Sequence, residues 1–130
     1  MDAGLKLANI REEWDRIRPS IDRLMQKMGA DFRSEDVYAA VATGAAHLYT
    51  GETGFVVVQN DKDNCTGEPQ LLIWVACASG VGNIERFQPA IDRLALENGY
   101  RKLVMASPRK GWARIKGWRK VTTLYARDLT

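Results

Sequence analysis

Cysteine, histidine and long apolar runs are scarce in this chain. Its 130 residues hold two cysteines and one histidine. Cys65 sits in a polar stretch and Cys77 in an apolar one, so no disulfide framework is available. A single bridge between them stays open, but two separate thiols in a reducing cytoplasm is the better reading. His47 stands apart from both cysteines, and no metal-ligand spacing results. As the lone histidine, with an ordinary pKa near neutrality, it is a candidate base by type; a strand histidine with no matched partner is more often structural. The longest apolar run, Leu71 to Ala78, covers only eight residues. A membrane-spanning helix needs about 20, so none is expected. The opening MDAGLKLANIREEWDR turns charged at once and lacks the apolar core of a secretion signal, which points to a cytoplasmic protein.

Enough apolar sequence is present for one core. Hydrophobic residues make up 45% and charged residues 27%, the balance of a soluble globular chain. A chain of this length folds as one domain, burying roughly two thirds of the surface its unfolded form exposes. We expect a single domain over 1–130, with a helical half at 1–45 and the sheet and crossover helices at 46–130. Net charge is +3, unevenly spread. Tyr100 to Thr130 carries nine Lys or Arg against Asp128 alone, giving +8, and the other 99 residues give −5. A basic end on an acidic body suits a phosphate-bearing partner, a nucleotide or a nucleic acid, or else a solvated basic face.

Periodicity predicts a helix over Leu7 to Met28, with Leu7, Ile10, Trp14, Ile17, Ile21, Leu24 and Met28 on one face. Pro19 within it predicts a kink or a break. Ser34 reads as the N-cap of an alanine-rich helix, about Glu35 to Thr43. The pattern then changes to strands at His47–Thr50 and Gly54–Gln59, joined by a hairpin at Gly51–Gly54. After a polar connection over Asn60–Pro69 comes QLLIWVACA, Gln70 to Ala78, the kind of strand buried on both faces. A helix with Ile84, Phe87, Ile91, Leu94 and Ala95 on one side follows, ending at Gly99. Pro89 places its regular start near Gln88, or makes its first turn irregular. Arg101 to Ala106 is a short strand, Ser107-Pro108 opens a short helix that ends at Gly117, and Trp118 to Leu129 holds an alternating strand. The order α, α, β, β, β, α, β, α, β gives an α/β fold. Its mixed sheet runs antiparallel first and parallel last, with helices on both faces.

A strand, a loop with Gly80 and Gly82, and a helix beginning near Asn83 form an arrangement that holds phosphates. Glycines let the backbone approach, and the helix start aims free N–H groups at an anion. As a bare motif Gly-Val-Gly is also an ordinary tight turn. From Gln70 to Leu129, including Gly117-Trp118 and the closing RKVTTLYARDL, the chain resembles the second half of a GNAT-type N-acetyltransferase domain. The first half is similar by element order only.

The resemblance implies a compact GNAT-like fold and a CoA-dependent N-acyltransferase. Acetyl-CoA would lie on Ala78, Ser79, Gly80, Val81, Gly82, Asn83 and Ile84, with Ser107, Arg109 and Lys110 as further phosphate contacts. The chain is also similar to the short GNAT-like proteins of tailed bacteriophages. That likeness implies the alternative, a non-catalytic virion-associated protein bound to DNA or other virion proteins through Arg109, Lys110, Arg114 and Lys116. Three departures concern catalysis. Cys77 stands where the family's cofactor loop begins with Gln or Arg. Trp112, or Ala113 in the neighbouring register, replaces the tyrosine that protonates the CoA thiolate. The central strand has no glutamate base. Catalytic residues are therefore unassigned, with Glu52 and Glu68 the nearest carboxylates, each more readily read as a solvent-facing turn acid. Trp112, Trp118 and Tyr125 lie among the basic residues and can stack on a base or anchor the short helix to the sheet.

Overall fold

The structure, a computed structural model, describes residues 4–28, 32–78, 83–105, 117–121 and 125–129. In chain order the described elements are β1 (Lys6–Ala8), α1 (Ile10–Met28), α2 (Ser34–Ala42), β2 (Ala46–Thr50), β3 (Gly54–Lys62), β4 (Pro69–Ala78), α3 (Asn83–Glu97) and β5 (Leu103–Met105). They form one mixed sheet in the order β1-β2-β3-β4-β5. The first three pairings are antiparallel, and β4 runs parallel to β5. The parallel pair follows from the α3 crossover, which returns the chain to the end from which β4 starts.

Helices cover both faces. On one side Ile10, Ile17 and Ile21 of α1 and Val37 of α2 pack on Leu48, Phe55, Val57 and Val75. On the other, Phe87, Ile91 and Ala95 of α3 pack on Val56, Val58, Leu71 and Ile73. Within β4, Leu71 and Ile73 face α3, yet Val75 faces α1 and α2, although strict alternation would keep all three together. The register explains it. Val57 pairs with Val75 and Val58 with Ile73, so Trp74 is an extra residue, a β-bulge that reverses the parity of everything after it. Trp74 packs on the α1/α2 side with its ring 5.1 Å from that of Phe32.

Several expectations need correcting. The predicted first helix begins later, because Lys6–Ala8 enters as an edge strand paired to β2, with Leu7 68% exposed. Neither proline breaks its helix: α1 runs through Pro19, and α3 runs through Pro89 from Asn83, not from Gln88. An interior proline costs about 3 kcal/mol. Burial of Ile17 and Ile21, or of Phe87 and Ile91, returns about 1.5–3 kcal/mol per side chain, enough to carry the helix past it. Both prolines lie on exposed faces. Ser34 is not the N-cap but the first helical residue, buried, with Arg33 ahead of it donating its N–H to Asp36 at 2.8 Å. The predicted closing strand does not appear in the described parts of Trp118–Leu129, where Tyr125 and Leu129 are 87% and 88% exposed. Alternation there has no partner edge to act on among the described residues. The helix predicted from Ser107 lies outside them.

Gly99 ends α3 as expected. At φ +85° it lets Tyr100 N–H reach Ala95 C=O at 2.9 Å while its own N–H reaches Leu96 at 3.1 Å. The remote end of the β3–β4 hairpin is tied to the chain entering β5 by polar contacts. Lys102 reaches Asp63 at 3.1 Å, and the Tyr100 hydroxyl donates to Asn60.

Candidate functional site

β4 is the strand on which a site can be built, because its two ends have different neighbours. β5 pairs with it only at Leu71, Leu72 and Ile73. From Trp74 to Ala78 the strand keeps β3 on one side, and its other edge has no strand partner among the described residues. The residues that follow β5, 106–116, lie outside the described ones. α3 begins at Asn83, shortly after β4 ends at Ala78.

The predicted phosphate-binding residues fall partly within this frame. Ala78 is the last residue of β4, half-buried and paired with Gly54. Asn83 and Ile84 are the first two residues of α3. Ser79, Gly80, Val81, Gly82, Ser107, Arg109 and Lys110 lie outside the described residues, as do Trp112, Arg114 and Lys116. Trp118 packs against the α3 core cluster, and its indole N–H donates to Gln88 Oε1 at 3.0 Å. It therefore joins the chain after Gly117 to α3 and is held by protein contacts.

The two candidate carboxylates separate cleanly. Glu68 lies at the β3–β4 turn, the end of the sheet where β4 begins. Glu52 lies at the tip of the β2–β3 hairpin, beside the C-terminal end of β4. That hairpin closes through Gly51 N–H to Gly54 C=O at 2.8 Å. Gly54 approaches β4 so closely that a Cβ there would stand 2.3 Å from the Cys77 carbonyl oxygen. Glu52 is consequently held at the end of β4, and with Ala76–Ala78 it lines a cavity against α1. His47 is exposed on β2, away from this end of β4. Tyr49, whose phenol burial pushes above its usual range, packs on the α3 side. Tyr125 is exposed.

Residues not singled out in the sequence also belong to this end of the molecule. Arg16, Ser20, Arg23 and Lys27 of α1 face the same cavity, which measures about 510 Å³. Their spacing of four, three and four is legible in the sequence as one row along a helix. What that row faces is set only by the packing of α1 on β4.

No family model matches the chain, and no curated protein matches its sequence. Solved structures do match its fold, several acetyltransferases among them. A ribosomal-protein-alanine N-acetyltransferase from Brucella melitensis biovar Abortus 2308 superposes with a TM-score of 0.70 at 16% identity, over 96% of this chain and 98% of that one. A predicted acetyltransferase from Clostridium acetobutylicum, crystallised with acetyl-CoA, gives 0.69 at 12% identity over 97% and 96%. An aminoglycoside acetyltransferase from an uncultured soil metagenomic sample, in complex with trehalose, gives 0.65 at 9% identity over 98% and 96%. The α/β fold with its five-stranded mixed sheet is thus one that these acetyltransferases share. At these identities the likeness concerns the fold.

Proposed function

We propose that this chain is a single-domain GNAT-like acyltransferase that moves an acyl group from acyl-CoA, acetyl-CoA first among them, to an amine. The observation that carries the reading is the edge of β4 from Trp74 to Ala78, which has no strand partner among the described residues and leads toward the start of α3. Such an edge binds an extended amide-bearing arm as an added strand would be bound. A glycine loop at 79–82 leading into a helix start suits the pyrophosphate. Ser107, Arg109 and Lys110 are the proposed further phosphate contacts. A fold neighbour that carries acetyl-CoA supports the choice of donor.

In the reaction the amine nitrogen attacks the thioester carbonyl. A C–N bond forms as the C–S bond breaks, and the thiolate leaves. The proton released from nitrogen needs a base, and Glu52, which lines the cavity at this end of β4, is the proposed one. No side chain is assigned to protonate the thiolate, which takes its proton from solvent. The alternative role on DNA rests on Arg109, Lys110, Arg114 and Lys116 by sequence alone, so it is not advanced.

Thermal unfolding with and without acetyl-CoA tests the reading. At 100 times its dissociation constant the ligand adds about 2.7 kcal/mol of stability. Gly82→Asp, which sets a carboxylate against the phosphates, is expected to remove most of that gain. No shift at millimolar acetyl-CoA, or an undiminished shift in the variant, counts against it.

A further inference from the structure

The cavity on the α1 side has a charge pattern that the acyltransferase reading leaves unused. One wall is the α1 row Arg16, Ser20, Arg23 and Lys27, and the facing wall is the hairpin tip with Glu52. Arg16 is already neutralised, with a guanidinium nitrogen 2.6 Å from Glu13. Arg23 reaches the Ser20 hydroxyl at 3.3 Å, and no carboxylate among the described residues lies within 4 Å of Arg23 or Lys27. One helical turn apart, these two cations repel each other mildly. An anion placed between them would relieve that repulsion and accept from both. The far boundary of the cavity is Ala76–Ala78, at the C-terminal end of β4. A molecule in the cavity therefore reaches the end of β4 from which the chain runs on toward α3.

We propose that this cavity receives the acyl acceptor, and that the acceptor is an amine that also carries an acid group, a carboxylate or a phosphate. The inference rests on the acyltransferase reading. Arg23 and Lys27 hold the acid group, which turns the amine toward Glu52 and Ala76–Ala78. A polycationic amine meets like charge along the α1 wall and is disfavoured, so the row works as a filter as well as a clamp.

Calorimetric titration of the full chain tests this with L-glutamate and O-phosphoethanolamine as acid-bearing amines, glycinamide and spermidine as controls, and acetyl-CoA titrated separately. Both acid-bearing classes are expected to bind at least tenfold tighter than the controls, with affinity falling as salt rises. The better of the two distinguishes carboxylate from phosphate. The double variant Arg23→Gln, Lys27→Gln is expected to lose at least tenfold toward the acid-bearing probes, with acetyl-CoA affinity and melting temperature unchanged. Both residues are exposed, so the variant folds, and Arg23→Lys should recover part of the affinity. Equal binding of all four amines, a preference for spermidine, or an unchanged acid-probe affinity in the double variant overturns the proposal. So does a loss confined to acetyl-CoA, which assigns the two cations to the nucleotide phosphates. Acid-probe binding with no acetyl-CoA binding in the unaltered chain keeps the anion site and overturns the acyltransferase reading instead.

Discussion

The two halves of β4 are alike in composition and unlike in surroundings. Gln70–Ile73 lies between β3 and β5, with Leu71 and Ile73 sealed under α3. Trp74–Ala78 has β3 on one side and, among the described residues, no strand on the other, and its side chains beyond the bulge have exchanged faces. Apolar sequence therefore marks a strand as interior without saying which helix layer each of its side chains meets. Here one extra residue, Trp74, divides a continuous strand into two halves of opposite parity.

The largest effect that tests this division is a buried charge. Ile73→Asp puts a carboxyl at a position 2% exposed, where even the protonated acid lacks a partner. The cost of several kcal/mol rivals a whole domain's stability of roughly 5–15 kcal/mol, so soluble expression is expected to be lost. Cys77→Asp, in the half-buried stretch that lines the cavity, is expected to stay soluble and fold cooperatively. Similar outcomes for the two would erase the distinction between the halves.

Deleting Trp74 is the next largest. It closes the bulge while leaving Val75 opposite Val57 on the α1 side, so the loss comes from the indole itself and its ring contact with Phe32. The expected loss is at least the roughly 3–5 kcal/mol of truncating a core aromatic, read from denaturant unfolding. Unchanged stability would show that the Trp74 ring adds nothing to the core beneath α1 and α2.

Gly54→Ala acts on the close approach that fixes the hairpin to the end of β4. Its Cβ would meet the Cys77 carbonyl and the Ala78 Cα at 2.3 and 2.9 Å, both backbone atoms with little room to give. A loss of about 1–3 kcal/mol is expected, with weaker binding of any ligand that contacts Glu52 or Ala78.

The smallest effect belongs to the closed end. N–H groups of Cys65 and Thr66, then Lys102, hold the Asp63 carboxyl down to about 2. A depressed carboxyl stabilises the fold above its unfolded value, about 4, and that stabilisation fades as pH falls from there toward about 2. Asp63→Asn is expected to flatten the melting temperature over that window and leave it unchanged in its slope near neutrality. Thermal melts across the acid range provide the check.

Much of this was legible in the residues themselves. The helix rows of α1 and α3, the Gly51–Gly54 hairpin, the buried run Gln70–Ala78 and the stop at Gly99 all depend on local periodicity, turn chemistry or a backbone angle. Each is decided within a few residues, which is why sequence determined them. Continuity of α1 and α3 through Pro19 and Pro89 was not legible. A local cost there is offset by burial against strands distant in the chain. β1 was missed for a related reason: Lys6–Ala8 continues the periodic row of α1, and only the edge of β2 turns it into a strand. The site depended still more on tertiary structure. Trp74 becomes a bulge through its register with β3. Glu52 and Glu68 look equivalent in sequence, yet the hairpins carry them to opposite ends of the sheet. Composition and spacing set which residues are cationic along α1. The packing of that helix on β4 decided that Arg23 and Lys27 face a cavity, because the facing wall comes from residues about 30 to 50 positions away along the chain.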